Sequence, residues 1–329
     1  MSRLARITLA NLAIVAGLAP TGCAGEVTTA TDDPTGPPAT GKTELVSDLL
    51  CLRKMALDLT HAAPSSDAIT RLEAGSVTLD KLADEYLASP EFARVAFDWM
   101  REEFTPTALT TAETDIEEPA RLMHHILLQD RDWREILTAT YTVDREGIQR
   151  EITDRPAAGI LSTQYSLQST IGSYRRNWAA RFERQFAGIT LVAVTLPEGE
   201  MPDVTPDGLA NNPSCAGCHV HPTYGIDPLA RFAECYDELG ARIAGCTDPE
   251  ASFLLQTGRG LPDLARITAG TNEFKSQSVD FFFKRLFGRN LASQEAGFYT
   301  EAAATFTASG YQARALIKHL VTSEAYCSR

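Results

Sequence analysis

Two cysteines and a histidine stand together in SCAGCHVH, residues 214 to 221. Cys215 and Cys218 are three residues apart, and His219 follows the second cysteine directly. Two thiols at this spacing can form thioether bonds to the two vinyl groups of one haem, and the adjacent histidine can then bind the iron. The motif therefore predicts a haem c on Cys215 and Cys218, with His219 as an axial iron ligand.

Three other interpretations of the motif stay open. A thioredoxin-like CxxC pair needs a βαβ context, which the helical neighbourhood does not offer. A zinc site on both cysteines and a histidine lacks a second metal-spaced pair nearby. The cysteines can also form a structural disulfide or belong to a degenerate motif that binds no haem.

The sixth iron ligand is not set by the motif. Class I cytochromes c usually take a methionine downstream of it, but no methionine follows Cys218 here. Met201, in the irregular segment LPEGEMPDV close before the motif, is the first candidate. The other candidates are Met123, His124, His125, His61 and His319. A water-bound open position is a further alternative, which would allow small-molecule binding or peroxide chemistry.

Two polar residues after the motif receive structural interpretations. His221 lies two residues beyond His219, and on a helix such residues point in different directions, so we expect it outside the iron's ligand shell. Asp227 precedes Pro228, and we interpret it as a helix N-cap rather than as a carboxylate that tunes the site.

The start of the chain carries the pattern of an export signal: two arginines precede an apolar run from Ile7 to Ala19, and small residues come next. The run has about 13 residues, whereas a membrane-spanning helix needs roughly 20. The stretch PTGC, ending at Cys23, resembles a bacterial lipoprotein processing site. We expect residues 1–22 to be a signal peptide and Cys23 to carry a lipid in the cell envelope; ordinary cleavage and secretion are the alternative.

The segment after the signal and the charge of the chain both bear on its partners. Residues 23–42 are rich in Thr, Pro, Gly and Asp, which predicts a disordered tether.

The whole chain has a net charge of −13, and removal of residues 1–22 takes two arginines and no acidic residue, which makes the net charge −15. This acidity argues against nucleic acid as a partner and is compatible with a basic redox protein.

The seven cysteines divide by expected role. With Cys23 assigned to lipid and two cysteines to the motif, four remain, and four cysteines can pair in three ways. Export would place them in an oxidising compartment. We favour Cys235 with Cys246, which are close in sequence, and therefore Cys51 with Cys327; four unpaired thiols are the alternative.

The pattern of apolar residues predicts a helical body. Apolar residues recur at helical spacing from Thr43 to Thr60, and SPEFARVAFDWMREEF begins with an N-cap serine and a proline at the first helical position. Alternating strand patterns are scarce. We predict an all-α, multi-helix body with a short, loop-rich, cytochrome c-like haem segment. Its expected divisions are an N-terminal helical region at 43–195, the haem region at 196–250 and a C-terminal helical region at 251–329.

The segment CAGCHVHPTYGIDPLARFAECYDELGARI resembles the planctomycete-type cytochrome c domains, which are exported bacterial proteins of mostly unassigned function. In that family, Asp-Pro follows CxxCH, and a stretch like Asp-x-x-Gly-x-x-Arg comes after it. Here the matching residues are Asp227, Pro228, Asp237 and Gly240, with Arg242 one position out of register. The flanking helical segments are also similar, so the resemblance covers most of residues 45–329. It implies haem attachment at the motif without naming a substrate.

Two functions remain from the sequence. The first is an electron carrier, because a haem c needs no separate acid–base machinery and the chain has no G-x-S-x-G, H-E-x-x-H or phosphate-loop motif. The second is a non-redox surface binding or scaffold module in which the CxxCH is structural or vestigial.

Overall fold

The structure is a computed structural model that describes residues 40–104, 114–168, 174–191, 203, 205–291 and 295–328. Residues from Thr40 to Arg329 form one compact unit. Helices make up most of its described residues, as the sequence predicted. Several predictions fall outside the described residues, namely the signal peptide at 1–22, nearly all of the tether, lipid on Cys23 and iron binding by Met201.

The first half of this unit consists of helices and one short hairpin. Its elements are α1 (Thr40–Thr60), α2 (Ser66–Glu73), α3 (Leu79–Leu87), α4 (Pro90–Phe104), α5 (Glu118–Leu128), α6 (Glu135–Thr138), β1 (Tyr141–Val143), β2 (Gln149–Glu151) and α7 (Gln164–Leu167). Helix α1 begins at Thr40, within the last residues that we assigned to the tether.

The second half contains the motif and a terminal group of helices. Its elements are α8 (Tyr174–Phe182), a π-helical turn (Glu183–Ala187), α9 (Pro206–Asn211), α10 (Pro213–His219), α11 (Ile226–Ala230), a 3-10 turn (Arg231–Ala233), β3 (Glu250–Phe253), β4 (Gln256–Arg259), α12 (Gly260–Ala269), α13 (Asn272–Phe287), α14 (Ala296–Ala308), α15 (Ala313–Val321) and α16 (Glu324–Cys327).

Local capping sets several helix starts. Ser89 Oγ accepts a hydrogen bond of 3.1 Å from the Phe92 amide, and Pro90 is the first residue of α4, as the sequence indicated. Ser65 caps α2 in the same way, through a 3.1 Å bond from the Ala68 amide. These side chains satisfy backbone donors that the first turn of a helix leaves unpaired.

The apolar faces of the helices close one large core. Its most deeply buried large side chains include Phe92 of α4, Trp133, Phe182 of α8, Phe282 of α13 and Tyr326 of α16. A smaller apolar cluster joins α1, α2 and α3. The core therefore draws on elements from both the first and the last helices of this unit.

Within the described ranges, two antiparallel hairpins interrupt the helical body, and the sequence pattern predicted neither of them. Strand β1 pairs with β2, and β3 pairs with β4 so that Phe253 lies opposite Gln256. Between them, Leu254 and Leu255 form a two-residue turn with φ values of 49° and 61°. Such turns usually contain Asn-Gly, so a leucine pair gives no turn signal in the sequence.

The described part of the chain contains two disulfides, and they join the cysteines that we paired from the sequence. Cys51 on α1 is bonded to Cys327 on α16, with a Cα–Cα distance of 4.6 Å. Cys235 is bonded to Cys246, with a Cα–Cα distance of 5.5 Å. The first bond fastens the last helix to the first.

No helix within the described residues combines the length and the apolar character that crossing a bilayer requires.

Candidate haem attachment site

Helix α10 presents the two motif cysteines. Pro213 is its first residue, and the Asn212 side chain caps it by accepting a 2.9 Å hydrogen bond from the Ser214 amide. The helix ends at His219 and packs against α9 and α11. No residue of α10 is buried, so its side chains do not belong to the core.

Cys215 and Cys218 remain thiols. Both are partly exposed, and they lie about one helical turn apart. The other four cysteines within the described residues are used in disulfides. The two motif thiols are therefore available for thioether bonds from one face of one short helix.

A carboxylate holds the imidazole of His219. Asp227 Oδ1 lies 3.1 Å from His219 Nδ1, and because a carboxylate only accepts, Nδ1 is the donor. The described residues provide no hydrogen bond to Nε2 of this ring. Iron-binding histidines usually donate their second nitrogen to a carboxylate or carbonyl in this way, which fixes the tautomer and the ring orientation.

An arginine from a distant part of the chain fixes that carboxylate. Arg176 Nε donates to Asp227 Oδ1 at 2.6 Å, and its Nη2 donates to Oδ2 at 3.0 Å. About a fifth of each side chain is exposed, namely 24% for Arg176 and 19% for Asp227. The forked, charge-assisted contact gives the carboxylate one orientation.

Our interpretation of Asp227 as an N-cap is wrong. Helix α11 begins at Ile226, so its N-cap is Gly225 and Asp227 lies in the first turn. The Asp227 side chain points to His219 and Arg176 instead of bonding to the backbone amides of its helix. The carboxylate therefore acts on the orientation of the His219 ring and not on the start of α11.

Helix α8 braces the site through two adjacent arginines. Arg176 bonds to Asp227, while Arg175 donates to the Glu234 side chain at 3.1 Å and to the Glu234 carbonyl at 2.9 Å. Helix α8 also packs directly against α11. The stretch from Asp227 to Glu234 is therefore held at both ends by one helix.

The loop between α10 and α11 makes a tight turn at Gly225. Its amide donates to the His221 carbonyl at 2.8 Å. A Cβ atom at position 225 would lie 2.6 Å from the His221 oxygen and 2.9 Å from the His219 oxygen. Both neighbours are backbone atoms, so only glycine permits this approach, which brings Asp227 back towards His219.

His221 takes part in the same loop. Its Nδ1 accepts a 3.2 Å hydrogen bond from the Thr223 amide, and its ring stacks on Tyr224 at a centroid distance of 3.7 Å. While this turn is intact, Nδ1 of His221 is not available to iron.

The candidates for the sixth ligand lie elsewhere in the described part of the chain. Met123 is fully buried in the core, and the neighbouring His124 bonds through Nε2 to the Ala93 carbonyl at 2.7 Å. Burial lowers the pKa of His124 below its ordinary value. His125 packs edge-on against Tyr141. These residues belong to α5, which packs against α4 and β1.

The remaining two histidine candidates lie outside the motif helix. His319 stacks on Phe298 within the terminal helices, and its Nε2 is buried without a hydrogen-bond partner among the described residues. His61 is exposed just after α1. Helix α10 packs on α9 and α11, and neither of those helices contains a methionine or histidine. Met201 falls outside the described residues, so its expected role stays a prediction.

The residues of the site can be compared with what a covalent haem would need. Within the described ranges, no group of three or more His, Cys, Asp and Glu side chains is arranged to hold a metal ion. Haem iron does not need such a group, because the porphyrin supplies four nitrogens and the protein adds the axial ligands. Two free thiols beside an oriented imidazole fit this requirement.

Comparison of the chain with known protein families, curated proteins and solved structures finds no match.

Proposed function

We propose that this protein is an exported, lipid-anchored, c-type cytochrome-like protein that carries one covalent haem and transfers single electrons. One observation supports this proposal most. Hydrogen bonds from Arg176 to Asp227 and from His219 to Asp227 orient an imidazole beside two unbonded thiols. The resemblance of this segment to planctomycete-type cytochrome c domains points to the same chemistry.

Each site residue has a distinct role in this proposal. Cys215 and Cys218 hold the porphyrin, and His219 binds the iron through Nε2. Asp227 makes the imidazole a stronger electron donor, which favours the oxidised iron, and Arg176 partly offsets that charge. When bound, the haem supplies the iron that accepts and releases one electron. The acidic surface would steer a basic redox partner, and lipid on Cys23 would keep the protein at the membrane.

The test is covalent haem attachment in a bacterial host with functional cytochrome c maturation. We expect intact-mass spectrometry to show one added haem, and the reduced pyridine adduct to show a c-type spectrum. A Cys215→Ala, Cys218→Ala variant should lose both. The matched control is Cys235→Ala, Cys246→Ala, which removes a disulfide outside the motif and should keep the haem. Wild-type protein without an added porphyrin would contradict the proposal.

A second prediction concerns the carboxylate behind His219. Asp227→Asn removes the negative charge that raises the imidazole's donor strength, so we expect the haem reduction potential to rise. The measurement is a spectroscopic redox titration of the attached haem.

Its control is Asp248→Asn. Asp248 forms a two-bond ion pair with Arg242 at 3.2 and 2.9 Å, with exposures of 19% and 25% that nearly match the Asp227 pair. Both variants should lose a similar amount of stability, about 1–3 kcal/mol for a charge-assisted pair. Only Asp227→Asn should move the potential; equal shifts in both variants would show that the carboxylate has no special link to the iron.

The scaffold alternative also has a structural observation in its favour. Because α10 buries no side chain, the core closes without a contribution from the motif. A motif that binds nothing would therefore leave the body folded. The haem-attachment experiment separates the two functions, since the scaffold module predicts native protein without porphyrin.

A further inference from the structure

The turn between β3 and β4 combines two unfavourable features. Leu254 and Leu255 both have left-handed backbone conformations, with φ of 49° and 61°. Side chains with a Cβ are strained there, and glycine is preferred at the second position of such a turn. Leu255 also exposes 73% of its surface. Neither the turn nor the packing of the described residues accounts for a leucine at position 255.

This hairpin tip is fixed to the motif loop. The Leu254 amide donates a 2.8 Å hydrogen bond to the Thr223 carbonyl, four residues after His219. Strand β3 packs against α11, the helix that carries Asp227. The Leu254 side chain packs partly against the core, which leaves Leu255 as the projecting residue. The strained, exposed leucine is therefore the direct neighbour of a residue whose amide is bonded to the loop that follows His219.

Strain in a backbone is retained where the surrounding structure or a function requires it. A porphyrin has a wide apolar surface, and an apolar side chain against it would lose its contact with water. Shielding a haem edge from water disfavours the more highly charged oxidised iron, so burial is one of the ways in which a protein raises a haem's reduction potential.

We propose that Leu255 contacts the porphyrin of the haem on Cys215 and Cys218, covers part of its edge and raises its reduction potential. This inference rests on the proposed function. It assigns a cofactor-covering role to a residue that lies 36 positions after His219 and outside the motif.

The test uses the opposite effects of Leu255→Gly on the turn and on the haem. In a haem-free Cys215→Ala, Cys218→Ala background, glycine relieves the left-handed strain, and the melting temperature should rise by about 2 to 4 °C. In the haem-bearing protein, the exposed edge should lower the reduction equilibrium constant by up to about tenfold, which is about 59 mV for one electron. Asparagine also tolerates this backbone conformation, so Leu255→Asn should lower the reduction potential as well.

Two further variants isolate the apolar contact. Leu255→Met keeps an apolar side chain and should hold the potential near the wild-type value. Leu50→Ala truncates another exposed leucine, 60% accessible on α1, and should leave the potential unchanged. If every variant contains haem, and wild type and Leu255→Gly have the same reduction potential, this inference is overturned and the proposed function stays intact. Absence of haem from the wild-type protein would instead remove the proposed function itself.

Discussion

Replacing Cys51 and Cys327 together by alanine should lower the free energy of unfolding by about 5 to 6 kcal/mol in the chain-entropy view of disulfides. This bond closes a loop between residues 276 positions apart, and so it restricts nearly the whole unfolded body. It also fastens α16 to α1, and Cys51 is fully buried between them. Denaturant unfolding monitored by circular dichroism measures the loss.

The second disulfide provides an internal comparison. Cys235 and Cys246 are 11 positions apart, so the same view gives their bond a smaller contribution of about 3 kcal/mol. The variant Cys235→Ala, Cys246→Ala should therefore unfold at a higher denaturant concentration than the variant without the long-range bond. The reverse order would show that local packing, and not loop closure, decides the stability.

Glu183→Gln is expected to stabilise the protein increasingly as pH rises from about 4.5 to about 8. Glu183 lies in the π-helical turn with no exposed surface, and neither carboxyl oxygen has a hydrogen-bond partner among the described residues. Burial raises its pKa from the ordinary value of 4.5 to about 8. A carboxyl group in such surroundings is held in its neutral form.

Proton linkage sets the direction of this effect. Below about pH 4.5 Glu183 is protonated in both the folded and the unfolded chain, and its burial carries no ionisation penalty. Between about 4.5 and 8 the unfolded chain releases this proton while the folded protein retains it, so stability falls by about 1.4 kcal/mol per pH unit. Glutamine is neutral throughout, so the variant should gain up to about 4 to 5 kcal/mol relative to wild type by pH 8.

The measurement is the difference in unfolding free energy between variant and wild type across that pH range. Glu301→Gln is the matched control, because Glu301 is an exposed glutamate on α14. Its difference from wild type should stay flat with pH. A flat difference for Glu183→Gln as well would mean that the buried carboxyl does not titrate in this window.

Local patterns in the sequence explain most of the helical fold. The spacing of apolar residues predicted α1, and Ser89 with Pro90 predicted the start of α4, because both signals operate within one or two turns. The two hairpins were not predicted because they lack such local signals. Strands β1 and β2 have three residues each, and the β3–β4 turn uses leucines where Asn-Gly would have signalled it.

Only part of the candidate site could be predicted from the sequence. Cys215, Cys218 and His219 are recognisable because their chemistry depends on their spacing. Arg176 could not be recognised from the sequence, since it lies 51 residues from Asp227 and its role comes from the packing of α8 on α11. The Asp-Pro pair invited a capping interpretation, and only the turn at Gly225 shows why the carboxylate faces His219 instead.

The lack of any buried side chain in α10 has a consequence for how the molecule is assembled. A segment with little apolar surface to expose can detach by local opening at a lower free energy than global unfolding, and its amide hydrogens should exchange with solvent sooner than those of α1. Under the proposed function, haem could then be attached to residues 213–219 after the rest of the chain has folded, since maturation would need to release only one short helix.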